Sequence, residues 1–207
     1  MPTGDPSRAR SLRALTAEAA DCRACPLYGP ATQTVFGEGP VRAKLLLVGE
    51  QPGDQEDQQG HPFVGPAGRV LDRALAEVGI DRASVYLTNA VKHFKHQQRG
   101  KRRIHQKPNA SEIEACHPWL EAELRLVRPD VIVLMGTVAV RSVLGRGHTI
   151  TALRGRTVDY EGVTTVVTIH PSAVLRVEDR EQRFAELAED LRRADSLLAE
   201  SAAREAR

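Results

Sequence analysis

Three cysteines give the first indication of chemistry in this sequence of 207 residues. Cys22 and Cys25 form a C-x2-C pair, and Cys116 follows much later in the chain. Two thiolates on one tight turn can bind the same metal. The pair does not open a helix after a strand, as a thioredoxin-like redox motif does, and three cysteines are too few for a disulfide framework. Metal binding is therefore the favoured interpretation.

A fourth metal ligand has to come from another residue type. His93 is the preferred candidate, because it follows the second predicted strand by two residues and precedes the predicted helix that contains Cys116. His96 and His117 are alternatives, and so is the absence of a metal. Imidazole replaces thiolate at both zinc and iron–sulfur sites, so the spacing does not decide between them.

A second group of polar residues follows four apolar runs of strand length. The runs are Lys44–Glu50, Val85–Val91, Val131–Gly136 and Thr164–His170. In an open α/β sheet, ligands bind beyond the carboxyl ends of such buried strands. The polar residues at these ends are Glu50, Gln51, Asn89, Thr137, His170 and Ser172. Amides, a carboxylate and an imidazole suit a planar heterocycle, whereas the alternative is that Asn89 and His170 cap helices or close turns.

The most strongly charged segment is 92–107, which has seven Lys or Arg, three His and no carboxylate in 16 residues. Gly100 near its middle and Pro108 after it predict a loop. A loop of this charge beside the ligand edge attracts a phosphate backbone, so nucleic acid is the preferred partner and a solvated surface loop the alternative. The expected DNA contacts are Lys92, Lys101, Arg102, Arg103 and, from the last strand end, Ser172.

One residue of this segment, His105, is a candidate nucleophile or base. A neutral imidazole is reactive near neutral pH, and the neighbouring cations Arg102 and Arg103 favour the neutral form.

The elements that position these residues alternate between strand and helix. Helical spacing of apolar residues predicts helices near Ala9–Ala20, Ala67–Val78, Ser111–Val127, Val138–Leu144 and Glu178–Leu198. Ser111 and Glu114 have capping-box spacing at the start of the third helix. This order predicts an α/β fold, a three-layer α/β/α arrangement around a four-stranded, mostly parallel sheet.

Composition fits one globular domain. The chain is 41% hydrophobic and 27% charged, and its net charge of +2 gives no global argument for a polyanionic partner. We expect a single domain over residues 11–199, with disordered tails at 1–10 and 200–207. The sequence has no apolar run long enough for a membrane span and no signal-peptide pattern, so we expect a soluble, cytoplasmic monomer without membrane contact.

Five motifs, in this order, resemble those of the family 4 uracil-DNA glycosylases. The resemblance runs from about Cys22 to Leu191. The motifs are Gly49–Gly53, Pro62–Gly68, Thr88–Lys92, Cys116–Leu120 and His170–Ser172. The resemblance implies the uracil-DNA glycosylase fold and removal of uracil from DNA.

Two details are similar to the UdgX branch of these enzymes. Gln51 stands where ordinary members usually have Ala, and Lys101–His105 reads KRRIH, a loop that ordinary members lack. The resemblance also implies a [4Fe–4S] cluster, whose ligands would be Cys22, Cys25, His93 and Cys116. His93 occupies the position of a cysteine in ordinary members.

The same resemblance implies the role of each site residue. Phe63 stacks on a flipped uracil, the Asn89 amide pairs with its O4/N3 edge, and His170 donates toward O2. Glu50 and Gln51 line the other side. Glu50 is the nearest residue that could accept the second ring proton of His105, and Asp54 and Asp57, which follow closely in the sequence, are alternatives. His105 would attack C1′ and stay bonded to the DNA, so the protein would work once, preferably on single-stranded DNA.

One departure from the branch leaves alternatives open. The stretch between His93 and the KRRIH segment is short, with Gln97–Gly100 following His96. If His105 does not reach C1′, the protein is an ordinary multi-turnover glycosylase that uses water. The non-enzymatic alternative is a metal-stabilised module that binds DNA through segment 92–107.

Overall fold

A computed structural model describes residues 5–205 and places two sheets in the chain. The strands, in chain order, are β1 (Leu45–Gly49), β2 (Val85–Asn89), β3 (His96–Arg99), β4 (Arg102–His105), β5 (Val131–Met135), β6 (Thr157–Tyr160) and β7 (Val163–Thr168). The central sheet has the order β2-β1-β5-β7-β6, and β3 pairs with β4 in a separate hairpin.

The four predicted strands are β1, β2, β5 and β7, and they pair in parallel. The predicted count of four is wrong, because β6 adds a fifth strand antiparallel to β7. β6 lies at the sheet edge with alternate residues exposed, so it has no apolar run that the sequence could reveal. A turn through Glu161 and Gly162, both at positive φ, joins it to β7.

Helices cover both faces of the sheet. They are α1 (Leu12–Ala19), α2 (Asp54–Gln59), α3 (Pro66–Glu77), α4 (Ala110–Val127), α5 (Thr137–Leu144), α6 (Ile150–Leu153) and α7 (Arg180–Glu205). The pleat of β1 turns Leu46 and Val48 toward the core shared with α1, α4 and α5. It turns Leu45 and Leu47 toward the core shared with α3 and α7, which gives the predicted three layers.

The N-terminus of α4 is capped differently from the prediction. Asn109 is the N-cap residue, and its side chain accepts a hydrogen bond from the backbone N–H of Glu112 while the Glu112 carboxylate accepts from the N–H of Asn109. Ser111 instead donates to the Asn109 side chain. The same three-residue spacing occurs twice in this segment, and the pair that starts earlier caps the helix.

The basic segment is a β-hairpin, not the predicted loop. His96 lies opposite His105, and Gly100 at φ 58° turns the chain between β3 and β4. Its strands are almost entirely polar and exposed, so they lack the alternation of apolar residues that identifies a strand in sequence.

The expected terminal tails are more ordered than predicted. Residues 6–8 form a 3-10 helix, Ala9 is buried, and the Arg125 guanidinium donates to the carbonyls of Pro6 and Ala9. At the other end α7 extends to Glu205. The expected tail residues 1–4 and 206–207 lie outside the described residues. Within residues 5–205, no helix has the length and apolar character to cross a membrane.

Candidate active site

A cleft of about 970 Å³ opens at the carboxyl edge of the central sheet. The strand ends of β1, β5 and β7 contribute to it, as the arrangement of polar residues in the sequence predicts. Glu50, His105 and His170 line this cleft together, so the hairpin and two strand ends meet there.

The two ring nitrogens of His170 differ, because Nδ1 is hydrogen-bonded to Ser172 and Nε2 is not bonded within residues 5–205. Its Nδ1 accepts a hydrogen bond from the backbone N–H of Ser172 at 3.2 Å, and lies 2.9 Å from Ser172 Oγ. Burial, followed by the charge of Arg176, lowers the pKa of His170 to about 4. The ring is therefore neutral with its proton on Nε2, which is buried and has no partner among the described residues. Ser172, a predicted DNA contact, here orients this imidazole.

His105 ends strand β4 and faces a carboxylate. Its Nε2 lies 3.4 Å from Oε1 of Glu50, the residue that follows β1. Burial lowers the pKa of His105, and the Arg176 charge lowers it further. Burial raises the pKa of Glu50, which Lys107 and Arg176 partly oppose. A largely neutral imidazole thus lies beside a carboxylate that can take up a proton.

Phe63 and Asn89 do not line this cleft, and Phe63 reaches it only through its contact with the ring of His170. Each is less than 5% exposed, and the Phe63 ring stacks with that of His170 at 6.4 Å between centroids. A Cβ on Gly49 would lie 2.4 Å from Asn89 Oδ1 and 2.6 Å from Phe63 Cζ. The absence of a side chain at Gly49 therefore lets the Asn89 amide and the Phe63 ring pack against its backbone. The sequence analysis did not assign this requirement to Gly49.

The side-chain amide of Gln51, which was predicted to line the uracil site, is bonded to protein backbone. Its Nε2 donates to the carbonyls of Lys95 and Gln106 at 3.2 and 3.1 Å, and its Oε1 accepts from the N–H of Lys95 at 3.2 Å. The side chain therefore bonds to the residues that flank the hairpin. Gln51 also lines the cleft, and its predicted contact with uracil stays a prediction.

Asp54 and Arg103 bind each other instead of a ligand. Arg103 Nε donates to Asp54 Oδ1 at 2.6 Å, and Arg103 Nη1 donates to the buried carboxylate of Asp57. The structure places Asp54 against Arg103 and not against His105, and its predicted contact with a base stays a prediction. Arg103, predicted to bind phosphate, instead ties the hairpin to α2.

Lys92 is the clearest error among the predicted DNA contacts. Its side chain is 1% exposed, and its Nζ donates to Thr88 Oγ1 and to the Asn89 carbonyl, both at 2.7 Å, and to a Glu123 carboxylate oxygen. The sequence could not reveal this pairing, because Glu123 is 31 residues away on α4.

Exposed cations of the described residues lie on the hairpin and in the cleft. Lys101 and Arg102 lie at the turn of the hairpin, as predicted, and Lys107 and Arg176 line the cleft. Arg176 was missed by sequence reasoning. The available signal was its position six residues after His170, in the 3-10 helix Pro171–Arg176.

The three cysteines come together as free, buried thiols in one core cluster. Burial raises the pKa of Cys116 to about 12, and its sulfur accepts a hydrogen bond from the Lys92 N–H at 3.2 Å. Among residues 5–205, no three His, Cys, Asp or Glu side chains converge closely enough to hold a single metal ion. Cysteine sulfurs are soft donors of the kind that zinc and iron–sulfur groups bind.

His93 is buried and bonded to Thr34 through Nε2 at 2.9 Å. The Thr34 hydroxyl donates its one proton to the Ala19 carbonyl, so it accepts from Nε2–H of His93. Burial lowers the pKa of His93, which keeps the ring neutral with a lone pair on Nδ1. That nitrogen is the one able to bind a metal.

Known proteins with similar sequences cover most of this chain. Residues 36–192 match the Uracil DNA glycosylase superfamily. The Type-4 uracil-DNA glycosylase of Thermotoga maritima is 39% identical over 179 residues, which cover 86% of this chain and 89% of that protein. The Type-4 enzyme of Archaeoglobus fulgidus is 35% identical over 80% of this chain and 83% of its own. The superfamily match includes the five strands of the central sheet.

Proposed function

The chain belongs to the uracil-DNA glycosylase superfamily, and we propose that it excises uracil from DNA and then bonds covalently to the abasic sugar through His105. The observation that supports capture is the position of His105. Despite the short β3–β4 connection, its imidazole lines the same cleft as Glu50 and His170.

Phe63 and Asn89 are the residues that we propose recognise uracil. Phe63 offers an aromatic face, and the Asn89 amide can donate to O4 and accept from N3–H, an arrangement that suits uracil and not cytosine. The base must leave the DNA stack to reach these residues, and single-stranded DNA lowers that cost. We therefore propose a preference for single-stranded substrate.

Excision breaks the bond between C1′ and N1 of uracil. The electron pair of that bond leaves with the base, and negative charge develops on O2. The unpartnered Nε2–H of His170 is the donor that stabilises this charge. Because the pKa of His170 is lowered to about 4, the ring donates this hydrogen bond as a neutral imidazole.

Capture then forms a bond between His105 and C1′. One imidazole nitrogen supplies its lone pair to the sugar cation, and the other releases its proton to Glu50 or to water. Water is displaced as the nucleophile because the hairpin holds the imidazole in place, and such positioning is worth roughly 7–11 kcal/mol in intramolecular reactions.

A hydrolytic enzyme is the second candidate, favoured by the similarity to Type-4 enzymes. In that case Glu50 takes a proton from water, the water oxygen bonds to C1′, and His105 contributes no bond. The same cleft residues recognise the base in both mechanisms.

We also propose that the chain binds a [4Fe–4S] cluster, as its family resemblance implies. Cys22, Cys25 and Cys116 would supply thiolates and His93 its Nδ1. The cluster would serve a structural role by joining the segment after α1 to α4. None of these four residues lines the cleft that contains His105 and His170, so we assign the cluster no step in the reaction.

One experiment separates the two candidate mechanisms. Stoichiometric protein is mixed with a single-stranded oligonucleotide that contains one uracil, denatured, and run on a gel beside a thymine control. We expect a uracil-dependent band of the summed mass, absent with His105→Ala and retained with His96→Ala, an imidazole on the opposite hairpin strand. An adduct that survives His105→Ala would contradict capture by this residue.

Two other results would favour the alternatives. Free DNA that breaks at the uracil position under alkali would indicate hydrolysis. Intact DNA from iron-loaded protein would indicate a binding module. Asn89→Ala tests the binding module separately. We expect this variant to weaken binding of uracil DNA at least tenfold more than binding of undamaged DNA, whereas equal losses would favour the binding module.

A further inference from the structure

The hairpin that ends in His105 is separate from the central sheet. A two-stranded hairpin is marginally stable in water by itself, so contacts with the rest of the molecule must fix its position. Polar contacts join the hairpin to segments near β1. Arg103 of β4 bonds to Asp54 of α2, His105 faces Glu50, and the Gln51 side chain bonds to the backbone at the start and end of the hairpin.

Gln51 contacts both sides of the hairpin base. Lys95 directly precedes β3 and Gln106 directly follows β4, and the Gln51 Nε2 donates one hydrogen bond to the carbonyl of each. Its Oε1 accepts from the Lys95 N–H, and the Gln106 N–H also donates to the Lys95 carbonyl at 2.9 Å. Both amide protons and the amide oxygen are therefore engaged with hairpin backbone.

Burial makes these bonds difficult to replace with water. Gln51 is 6% exposed, and it follows Glu50 at the end of a strand that is buried along its length. The backbone of residues 50 and 51 thus carries the carboxylate that faces His105 and the amide that holds the hairpin. The distance between Glu50 and His105 depends on both.

We propose that Gln51 is a positioning residue that anchors the hairpin base and thereby sets the place of the His105 imidazole in the cleft. This inference rests on the proposed capture reaction where it concerns the fate of the DNA. Its effect is on the sugar after the base has left, because both amide protons of Gln51 are bonded to hairpin backbone. Loss of the amide should loosen the hairpin and let water reach C1′ more often.

The test compares Gln51→Ala with wild type in two measurements. Hydrogen exchange of peptides that cover residues 95–106 reports the anchoring directly and does not depend on capture. The ratio of covalent adduct to free abasic site, measured in one turnover, reports the position of His105. Gln51→Met, which fills the space without the amide, is the second variant in case Gln51→Ala folds poorly.

Gln98→Ala is the matched control. The Gln98 Nε2 donates to the Gly100 carbonyl within the hairpin turn, so this variant also removes a glutamine amide from the hairpin but leaves its base intact. We expect at least tenfold faster exchange at residues 95–106 and at least a threefold lower ratio of adduct to abasic site for both Gln51 variants, and near wild-type values for Gln98→Ala.

Each other outcome has a definite meaning. Unchanged exchange in the Gln51 variants would overturn the proposal, as would faster exchange with an unchanged ratio of adduct to abasic site. Equal losses of adduct and of total uracil release would also overturn it, since they would indicate a general defect. If wild type forms no adduct, the proposed capture fails while the exchange data still decide whether Gln51 anchors the hairpin.

Discussion

Two imidazoles with lowered pKa define the chemistry at the scale of single residues. His170 is held neutral with a free Nε2–H, and His105 is kept neutral by burial and by the charge of Arg176. The proposed nucleophile, His105, requires the neutral ring, whereas His170 can donate through Nε2 while its neutral ring accepts from Ser172 at Nδ1. The two roles are separated by what each ring contacts, Ser172 for one and Glu50 for the other.

We therefore expect the rate of covalent capture to decrease only at acidic pH. A group with a lowered pKa stays deprotonated until the pH drops below its usual value, so His105 remains reactive at neutral pH and loses its lone pair only in acid. Arg176→Gln removes a positive charge that lowers the pKa values of His105 and Glu50, so both should rise and the acid limb should move to higher pH.

Single-turnover rates of adduct formation between pH 4 and 9 measure this limb. Arg176→Lys is the control, because it keeps the charge and should keep the wild-type midpoint. A limb that stays in place in Arg176→Gln, whatever happens to the rate, would contradict electrostatic control by Arg176.

At the scale of elements, the end of β2 depends on a buried ion pair with α4. Glu123 accepts hydrogen bonds from Lys92, Thr88, Tyr86 and the N–H of Gly37. Lys92 in turn bonds the Asn89 carbonyl through its side chain and the Cys116 sulfur through its backbone. The segment that carries Asn89 is thus held beside a cysteine of the proposed cluster.

Breaking this pair should be costly. Lys92→Met leaves the Glu123 carboxylate buried without its cation, and we expect a loss of about 3–5 kcal/mol in the free energy of unfolding. Lys92→Met combined with Glu123→Gln should lose less, since no charge is then buried. Urea unfolding of iron-loaded protein measures both.

An exposed ion pair provides the comparison for that prediction. Arg192 and Glu189 lie on the surface of α7, so Arg192→Met should cost less than about 1 kcal/mol. If Lys92→Met is no more destabilising than Arg192→Met, the buried pair does not hold the end of β2.

At the scale of the whole molecule, the proposed cluster would join distant parts of the chain. Cys22 and Cys25 follow α1, whereas Cys116 lies in the middle of α4. Chelation of the iron should therefore lower the melting temperature by roughly 5–10 °C and remove the visible absorption, because a long-range cross-link is lost. Refilling with iron and sulfide should restore both.

Isolation without oxygen decides whether that cross-link exists. Iron and acid-labile sulfide are quantified in wild type and in Cys116→Ser, which should lose both. Wild-type protein that is folded but free of iron would contradict the cluster.

The sequence by itself determined the central architecture and the types of residue at its ligand edge. The four parallel strands agree with the prediction within two residues, because strands buried on both faces consist of apolar runs. Polar residues at the carboxyl ends of β1, β5 and β7 do line one cleft, since parallel strands end at the same edge, whereas Asn89 at the end of β2 does not line it. Exposed, polar strands were missed because their backbone pairing leaves no apolar pattern.

Only the tertiary structure decided which partner each polar side chain takes. Lys92, Gln51 and Asp54 have groups that could serve a phosphate, a base or an imidazole, yet each is occupied by another part of the protein. Each has a partner between 31 and 55 residues away along the chain. A hydrogen bond or ion pair depends on distances of a few ångströms, which are set by how helices and hairpin pack on the sheet and not by local sequence.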